Sequence, residues 1–261
     1  TTPYTILVVD DNPDMTDFLK RTFEGYFKRI IIAGDGVEAL QLVRSHVPDI
    51  IVSDVMMPRM NGYELCKTIK EDIAISHIPV ILLTAKDDKQ SLISGYKNGA
   101  DGYLSKPFEV EMLMELIRNR LKNREYTKKR YLNAGLIPTP EESTISLTDE
   151  TFLIKLNSII QENIDNTNLG IQFICQEVGL GRSSLYNKLK ALTGMGANEY
   201  ISKLRIEKAI TLISGTDMPF SEIAEKTGFT TPSYFSTTFK QYTGETPSQY
   251  KERKKKGLTD Q

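Results

Sequence analysis

Ile50–Gly62 reads IIVSDVMMPRMNG and joins a short, mostly β-branched run to an abrupt end. A run of this kind is typical of a buried strand in a parallel sheet. The carboxylate of Asp54 closes the run, and Pro58 and Gly62 then prevent the strand from continuing. We therefore expect Asp54 where the strand emerges at the rim of a sheet. An aspartate there is also an ordinary loop cap, so its role depends on what the other strands carry.

Five apolar runs alternate with helix-like segments over the first half of the chain. The runs are Tyr4–Val9, Arg29–Ala33, Ile50–Asp54, Pro79–Leu83 and Tyr103–Ser105. Apolar residues at helical spacing follow each run, and those after the fourth are Leu92, Ile93 and Tyr96. This alternation predicts a doubly wound α/β fold of the flavodoxin-like kind, a five-stranded parallel sheet with helices on both faces. In such sheets ligands bind outside the carboxyl ends of the strands.

Polar side chains follow four of these strands. Asp10, Asp11, Asp54, Thr84 and Lys106 would all lie at the same edge of the sheet. Three carboxylates in one patch repel each other and shift their pKa values unless a cation joins them. Magnesium is a hard ion that a few carboxylates and water molecules satisfy. The first half therefore predicts an Mg²⁺ site beside a hydroxyl group and an ammonium group.

The first half resembles the receiver domain of bacterial response regulators, across roughly Tyr4 to Lys122. The resemblance is carried by the pair Asp10-Asp11, by Asp54 in an Asp-x-x-Met-Pro-x-Met-x-Gly setting, by Thr84-Ala85 and by Lys106-Pro107-Phe108. It implies that Asp54 accepts a phosphoryl group from the phosphohistidine of a histidine kinase. Phosphoryl transfer needs positioning and compensation of charge, which a divalent ion and a lysine supply.

The same resemblance implies a role for each of the other residues. Asp11, Asp54 and the backbone carbonyl of Met56 would coordinate Mg²⁺, and Asp10 would help through water. A second group would sense the phosphoryl group: Lys106 would pair with its oxygens, Thr84 would hydrogen-bond one of them, and Tyr103 would turn inward in response.

From Asp149 onward the pattern is helical, and one motif occurs twice. A helix, a glycine turn and a second helix with polar outer faces occur in Ile171–Lys190 and again in Ile223–Lys240. The second helix of each copy places two apolar residues four positions apart, and Ala197–Ile213 forms a long helix between the copies. This arrangement is the helix-turn-helix pattern.

The second half resembles the AraC-type DNA-binding domain over approximately Asp149 to Arg253. The residues that carry the resemblance include Leu204-Arg205 and Ala209 in the linking helix, Gly228-Phe229, Ser233-Tyr234-Phe235 and the run Gly244–Tyr250. The family places two recognition helices in successive major grooves of DNA. The implied DNA contacts are Arg182, Ser184, Tyr186, Asn187 and Lys188 in the first recognition helix, and Thr231, Ser233, Tyr234, Thr237 and Lys240 in the second.

Composition places the 261-residue chain among soluble globular proteins of two domains, with 39% hydrophobic and 26% charged residues. The predicted parts are a receiver domain at 1–123, a linker at 124–148 and a DNA-binding domain at 149–261. A net charge of −1 offers no overall attraction to nucleic acid, so DNA binding depends on local charge. We expect a cytoplasmic location, since no apolar run has membrane length. The start at Thr1 without methionine suggests that the chain was processed or cut from something longer, and one such longer protein would be a membrane-anchored sensor with this chain at its cytoplasmic end.

Together these patterns predict a phosphorylation-controlled transcription regulator of a two-component system, which is not itself an enzyme. Its partners would be a histidine kinase, in cis or in trans, double-stranded promoter DNA, and a second copy in a homodimer formed on phosphorylation. One alternative is the C-terminal output portion of a hybrid histidine kinase. Two others are a phosphate-sink receiver that binds no DNA and an Mg²⁺-dependent aspartyl phosphatase, although Met56 stands where such an enzyme needs a second aspartate.

Overall fold

A computed structural model describes residues 2–85, 99–133 and 146–257. The chain divides into two compact units, and the described part of the first consists of residues 2–85, 99–130, 146–151 and 191–193. The described part of the second consists of residues 131–133, 152–190 and 194–257. The helix predicted through Leu92, Ile93 and Tyr96 lies outside the described residues.

The first unit contains a five-stranded sheet in the order β2-β1-β3-β4-β5, and every pair is parallel. The strands are β1 (Thr2–Val9), β2 (Phe27–Ala33), β3 (Ile50–Asp54), β4 (Val80–Ala85) and β5 (Gly102–Lys106). The helices are α1 (Pro13–Phe23), α2 (Gly36–His46), α3 (Gly62–Glu71) and α4 (Val110–Asn133), whose residues 131–133 belong to the second unit. The predicted fold class is therefore confirmed.

Helices cover both faces of the sheet. Leu7 and Val9 of β1 pack in one core with α2 and α3, whereas Ile6 and Val8 pack in another with α1 and α4. Successive side chains of a strand point to opposite faces, so a strand buried on both sides is apolar at every position. Polar side chains that can bind a ligand are therefore expected where such strands end.

The register of the sheet aligns those ends. Val9 pairs with Ser53, so the residues that follow, Asp10 and Asp54, leave neighbouring strands side by side. On the other side Asp54 pairs with Leu83, and Ala85 pairs with Lys106. The sheet thus brings together residues that are far apart in the sequence.

The second unit is helical in its described part. Its elements are α5 (Leu147–Glu162), α6 (Ile171–Val178), α7 (Arg182–Thr193), α8 (Ala197–Gly215), α9 (Phe220–Lys226), α10 (Pro232–Thr243) and α11 (Pro247–Gly257), of which α5 and α7 each contribute one end to the first unit. The boundaries predicted at residues 123 and 148 lie inside α4 and α5. No helix in the described ranges is long and apolar enough to cross a membrane.

Both predicted helix-turn-helix motifs are pairs of helices, α6 with α7 and α9 with α10. Gly179 and Gly228 occupy the two turns with φ of 72° each, a left-handed conformation that glycine adopts without strain. The second motif has an aromatic core in which Phe235 packs against Phe229 and Phe239, with ring centroids 5.3 and 5.7 Å apart. This core fixes the orientation of α10 against the long helix α8, whose Ile206 and Ala209 belong to the same cluster.

Candidate functional site

Lys106 joins two of the acids at the carboxyl edge of the sheet. Its Nζ lies 2.9 Å from Oδ2 of Asp10 and 2.9 Å from Oδ1 of Asp54. Asp10 is 3% exposed and Asp54 is 8% exposed, so water screens these contacts only weakly. The structure therefore brings together the residues that strand-end reasoning placed in one cluster.

Asp11 completes a group of three carboxylates. One oxygen from each of Asp10, Asp11 and Asp54 lies within 4.8 Å of the others, and the side chain of Asp11 is exposed to solvent. Hard cations such as Mg²⁺ take oxygen ligands and keep several water molecules. A cluster that is buried on one side and open on the other fits such an ion. Met56, the predicted carbonyl ligand, follows at the start of the loop between β3 and α3.

Burial and charge have opposite effects on the pKa values of Asp54 and Lys106 in this cluster. Burial raises the pKa of Asp54 above its usual value, and the hydrogen bond and positive charge of Lys106 lower it only in part. Burial lowers the pKa of Lys106, but its hydrogen bonds to Asp54 and Asp10 outweigh that effect and raise it. The ammonium group thus stays charged at neutral pH, beside a carboxylate that is poorly solvated.

Thr84 and Tyr103 lie on the strands beside this cluster. Thr84 is buried at the end of β4, one residue beyond Leu83, which pairs with Asp54. Tyr103 is half-buried on β5 and packs against the core formed with α2 and α3. The roles that the resemblance assigned to them, including the inward turn of Tyr103, stay predictions.

An apolar rim surrounds the acid, and sequence reasoning missed it. The cavity that contains Asp54 and Lys106 is also lined by Met15, Phe18, Met56, Ala85, Pro107 and Phe108. In α1, Phe18 is exposed, whereas Leu19 and Phe23 are buried. A large exposed aromatic beside a reactive group indicates a surface that receives a partner.

The first recognition helix, α7, presents only some of the predicted DNA contacts. Arg182 and Tyr186 are exposed, and Ser184 and Asn187 are half-buried. The prediction for Lys188 is wrong, because its side chain is 0% exposed and its Nζ lies 5.1 Å from the ring centroid of Phe152. Lys188 precedes the buried Leu189 and lies on the inward face of the helix, where DNA has no access.

The second recognition helix, α10, exposes all five of its predicted contacts, which are Thr231, Ser233, Tyr234, Thr237 and Lys240. Thr231 also has a structural role, since its Oγ1 accepts a hydrogen bond from the backbone N–H of Tyr234 at 3.1 Å and caps the helix. Thr237 donates to the backbone carbonyl of Ser233 at 3.1 Å. Whether these residues touch DNA stays a prediction.

Lys190 is an exposed cation that sequence reasoning missed. It follows Leu189 directly, as Lys240 follows Phe239, and Leu189 and Phe239 hold the same place in the two motifs. The internal repeat was the signal that identifies it. Lys190 and Lys240 are therefore matched positions at the ends of the two recognition helices.

Comparisons with known families agree with this geometry. Residues 6–118 match the response regulator receiver domain, and residues 174–253 match a helix-turn-helix domain. The two domains together indicate a regulator.

Several individual proteins are similar to the chain. "Histidine kinase P4" of Formosa agariphila is 41% identical over 95% of this chain and 18% of its own length. "DNA-binding response regulator MtrA" of Mycolicibacterium smegmatis is 37% identical over 50% of this chain and 56% of its own. A putative response regulator from Chloroflexus aurantiacus J-10-fl, solved by crystallography, is 34% identical over 46% of this chain and 99% of its own, with a TM-score of 0.44.

The chain spans about a fifth of the length of the first of these relatives and about half of the second. The strand-end cluster lies within the residues matched to the receiver domain, and the second helix-turn-helix motif lies wholly within those matched to the helix-turn-helix domain. This chain therefore contains a response regulator receiver domain followed by an AraC-type helix-turn-helix domain, and its homologues are response regulators and a histidine kinase.

Proposed function

We propose that this chain is a transcription regulator whose binding to promoter DNA is controlled by phosphorylation of Asp54. The observation that carries the proposal is the bridge from Lys106 to Asp10 and Asp54, 2.9 Å on each side. A buried carboxylate held beside a permanent positive charge is prepared to become a more highly charged acyl phosphate. The cation already present then offsets part of the added charge.

The transfer is a displacement at phosphorus. A carboxylate oxygen of Asp54 forms the new bond as the bond from phosphorus to the nitrogen of a kinase phosphohistidine breaks, and the imidazole leaves. Lys106 pairs with the phosphoryl oxygens, and Thr84 donates a hydrogen bond to one of them. Mg²⁺, held by Asp11, Asp54 and the backbone carbonyl of Met56 with help from Asp10 through water, would when bound compensate the charge on those oxygens.

The apolar rim serves the approach of the kinase. A partner helix that covers Phe18, Met56 and Phe108 removes apolar surface from water and excludes solvent from Asp54. Exclusion of water strengthens the contacts of Lys106 and keeps water away from the acyl phosphate.

The output is DNA binding by a phosphorylated homodimer. Two chains joined on one promoter bind more tightly than either alone, because the second contact becomes intramolecular. The exposed residues of α7 and α10 supply the contacts within each chain. Phosphorylation then controls DNA binding by increasing the fraction of chains that are dimeric.

The test is labelling by acetyl phosphate with Mg²⁺, followed by mass spectrometry of the intact chain. We expect one phosphoryl group on the wild-type chain and none on Asp54→Asn. Asp17→Asn, which changes an exposed acid of α1, is the control and is expected to be labelled like the wild type. Equal labelling of the Asp54→Asn variant would contradict the proposal. Electrophoretic retardation of a duplex selected from random sequence, with and without acetyl phosphate, distinguishes a regulator from a phosphate-sink receiver.

A second candidate is the output portion of a hybrid histidine kinase, with the same chemistry at Asp54. The similarity to histidine kinase P4 favours it, because that match runs through 95% of this chain. An antibody against this chain distinguishes the two in extracts of the source cells. A band near 29.5 kDa supports the separate regulator, and a single much larger band supports the hybrid kinase.

A further inference from the structure

The loop that connects β3 to α3 leaves Asp54 and turns back at once. The backbone N–H of Gly62 donates to the carbonyl of Val55 at 2.9 Å, which closes the base of the loop. A Cβ atom at Gly62 would lie 2.3 Å from the carbonyl oxygen of Asp54, so no larger residue fits there. Met56, the proposed carbonyl ligand, lies in this loop just after its closed base.

The far side of the loop is attached to the start of α2. The backbone N–H of Gly36 donates to the carbonyl of Met60 at 3.2 Å. A Cβ atom at Gly36 would lie 2.6 Å from that same carbonyl oxygen, so the two segments are in close contact. The loop is therefore held at two points, its base and its tip.

An ion pair reinforces the second point. The guanidinium of Arg59 donates to the carboxylate of Asp35. Asp35 is 5% exposed and caps α2 by accepting hydrogen bonds from the backbone N–H groups of Val37 at 2.8 Å and Glu38 at 3.1 Å. The hydrogen bonds to the helix thus hold the carboxylate of Asp35 in place independently of Arg59.

Arg59 has an unusual backbone. Its φ is 64°, in the left-handed region that residues other than glycine rarely adopt. A conformation of this kind persists where the surroundings hold it in place. The ion pair and the contact of Met60 with Gly36 are the surroundings that the structure provides.

We propose that the ion pair of Arg59 with Asp35 positions the loop between β3 and α3, and with it the Met56 carbonyl, for cation binding at the Asp54 cluster. The inference rests on the proposed function. Arg59 contacts neither the three carboxylates at the strand ends nor the phosphoryl group that Asp54 would carry. It is therefore a positioning residue. Groups that orient metal ligands commonly raise metal affinity by about 10- to 100-fold.

Three variants separate the ion pair from the backbone. Arg59→Ala removes the pair, and Asp35→Asn removes it while keeping a residue that caps helices well. Arg59→Gly also removes the pair but adopts the positive φ without strain. We expect each to raise the dissociation constant for Mg²⁺ about 10-fold. Arg59→Lys, which keeps a charge, is expected to recover part of the loss.

The probe is Mg²⁺ alone, titrated into the whole chain by calorimetry, with initial rates of acetyl phosphate labelling measured in parallel. At saturating Mg²⁺ we expect the labelling rate of every variant to return to the wild-type rate, because the reacting groups are intact. The combined variant Arg59→Ala with Asp35→Asn is expected to lose no more affinity than either alone, as for two partners of one interaction. Arg44→Ala, which removes the more exposed ion pair with Asp72, is the control and is expected to bind Mg²⁺ like the wild type.

Wild-type affinity in Arg59→Gly would overturn the proposal, since the backbone and not the ion pair would then position the loop. Wild-type affinity in Asp35→Asn would overturn it as well. These results are distinct from a failure of the proposed function, in which the wild-type chain itself takes no label at Asp54.

Discussion

The cluster at the strand ends and the recognition helices are built in opposite ways. The cluster joins residues as distant as Asp10 and Lys106, buries most of them and bonds them to each other. The candidate DNA contacts of α10 lie within one helix and face outward. Residues that share one charge balance depend on each other, whereas separate surface contacts contribute nearly independently. Single substitutions should therefore have very different consequences in the two regions.

The largest effect is expected at Lys106. Lys106→Ala removes the cation that bridges Asp10 and Asp54 and leaves the phosphoryl oxygens without their partner. Loss of one such stabilising group costs about 100-fold or more in rate. We expect a decrease of that size in the initial rate of labelling by acetyl phosphate with Mg²⁺, measured by mass spectrometry. Lys67→Ala, at an exposed position of α3, is the matched control, and an equal decrease there would refute the assignment.

A smaller effect is expected on the DNA-binding side. Arg182→Ala removes an exposed cation at the start of α7 and should weaken DNA binding by about 1–3 kcal/mol, if its contact is to a base. Combined with Tyr234→Ala on α10, the two losses should add, because they fall on separate motifs. Electrophoretic retardation of a duplex selected by the wild-type chain measures both. Losses that are far from additive would show that the two motifs do not act as independent contacts.

The same contrast explains what the sequence predicts well. β3 is buried along its whole length and β-branched until Ser53, so its limits and its polar end are visible in Ile50–Asp54 itself. Parallel strands must end at one edge, so the cluster of Asp10, Asp54 and Lys106 follows from topology. Which acids Lys106 bonds, and the ion pair of Asp35 with Arg59, depend on loop conformations that no periodicity encodes.

The recognition helices show where the sequence is insufficient. Lys188 is polar and precedes a buried leucine, so the pattern alone places it at the edge of the inward face. Its burial depends on Phe152, which comes from another helix, α5. A lysine with a long apolar stem is buried or exposed according to such tertiary neighbours. The end of α4 was likewise difficult to predict, because its basic C-terminal part is compatible both with a longer helix and with a linker.

A finer measurement tests that correction. Lys190→Ala and Lys240→Ala each remove an exposed cation at matched positions. Affinity decreases with salt, and each variant should make the slope of log affinity against log salt less negative by about 0.9. Lys188→Met retains the apolar stem over Phe152 and should leave the slope unchanged. The slope comes from retardation assays across a series of salt concentrations. If the slope for Lys188→Met became less negative by the amount expected for one phosphate contact, Lys188 would contact phosphate after all.

The smallest expected effect concerns stability and returns to the acid cluster. The pKa of Asp54 is raised in the folded chain, chiefly by burial, so folding favours the protonated acid and disfavours the carboxylate. Its contribution to stability is therefore greatest below the unfolded value of about 3.9 and decreases as pH rises through the folded-state pKa. Asp54→Asn has no such titration.

We therefore expect Asp54→Asn to have a higher free energy of unfolding than the wild type at neutral pH, in the absence of Mg²⁺. The difference should narrow as pH falls through the folded-state pKa of Asp54 and be smallest well below about 3.9, where the acid is protonated in both states. Urea denaturation followed by circular dichroism at a series of pH values measures it, with Asp17→Asn as the exposed control. A variant less stable than the wild type at neutral pH would mean that the attraction of Lys106 for Asp54 exceeds the cost of burying it. The cluster would then be a stabilising ion pair, and not a carboxylate kept poorly solvated for chemistry.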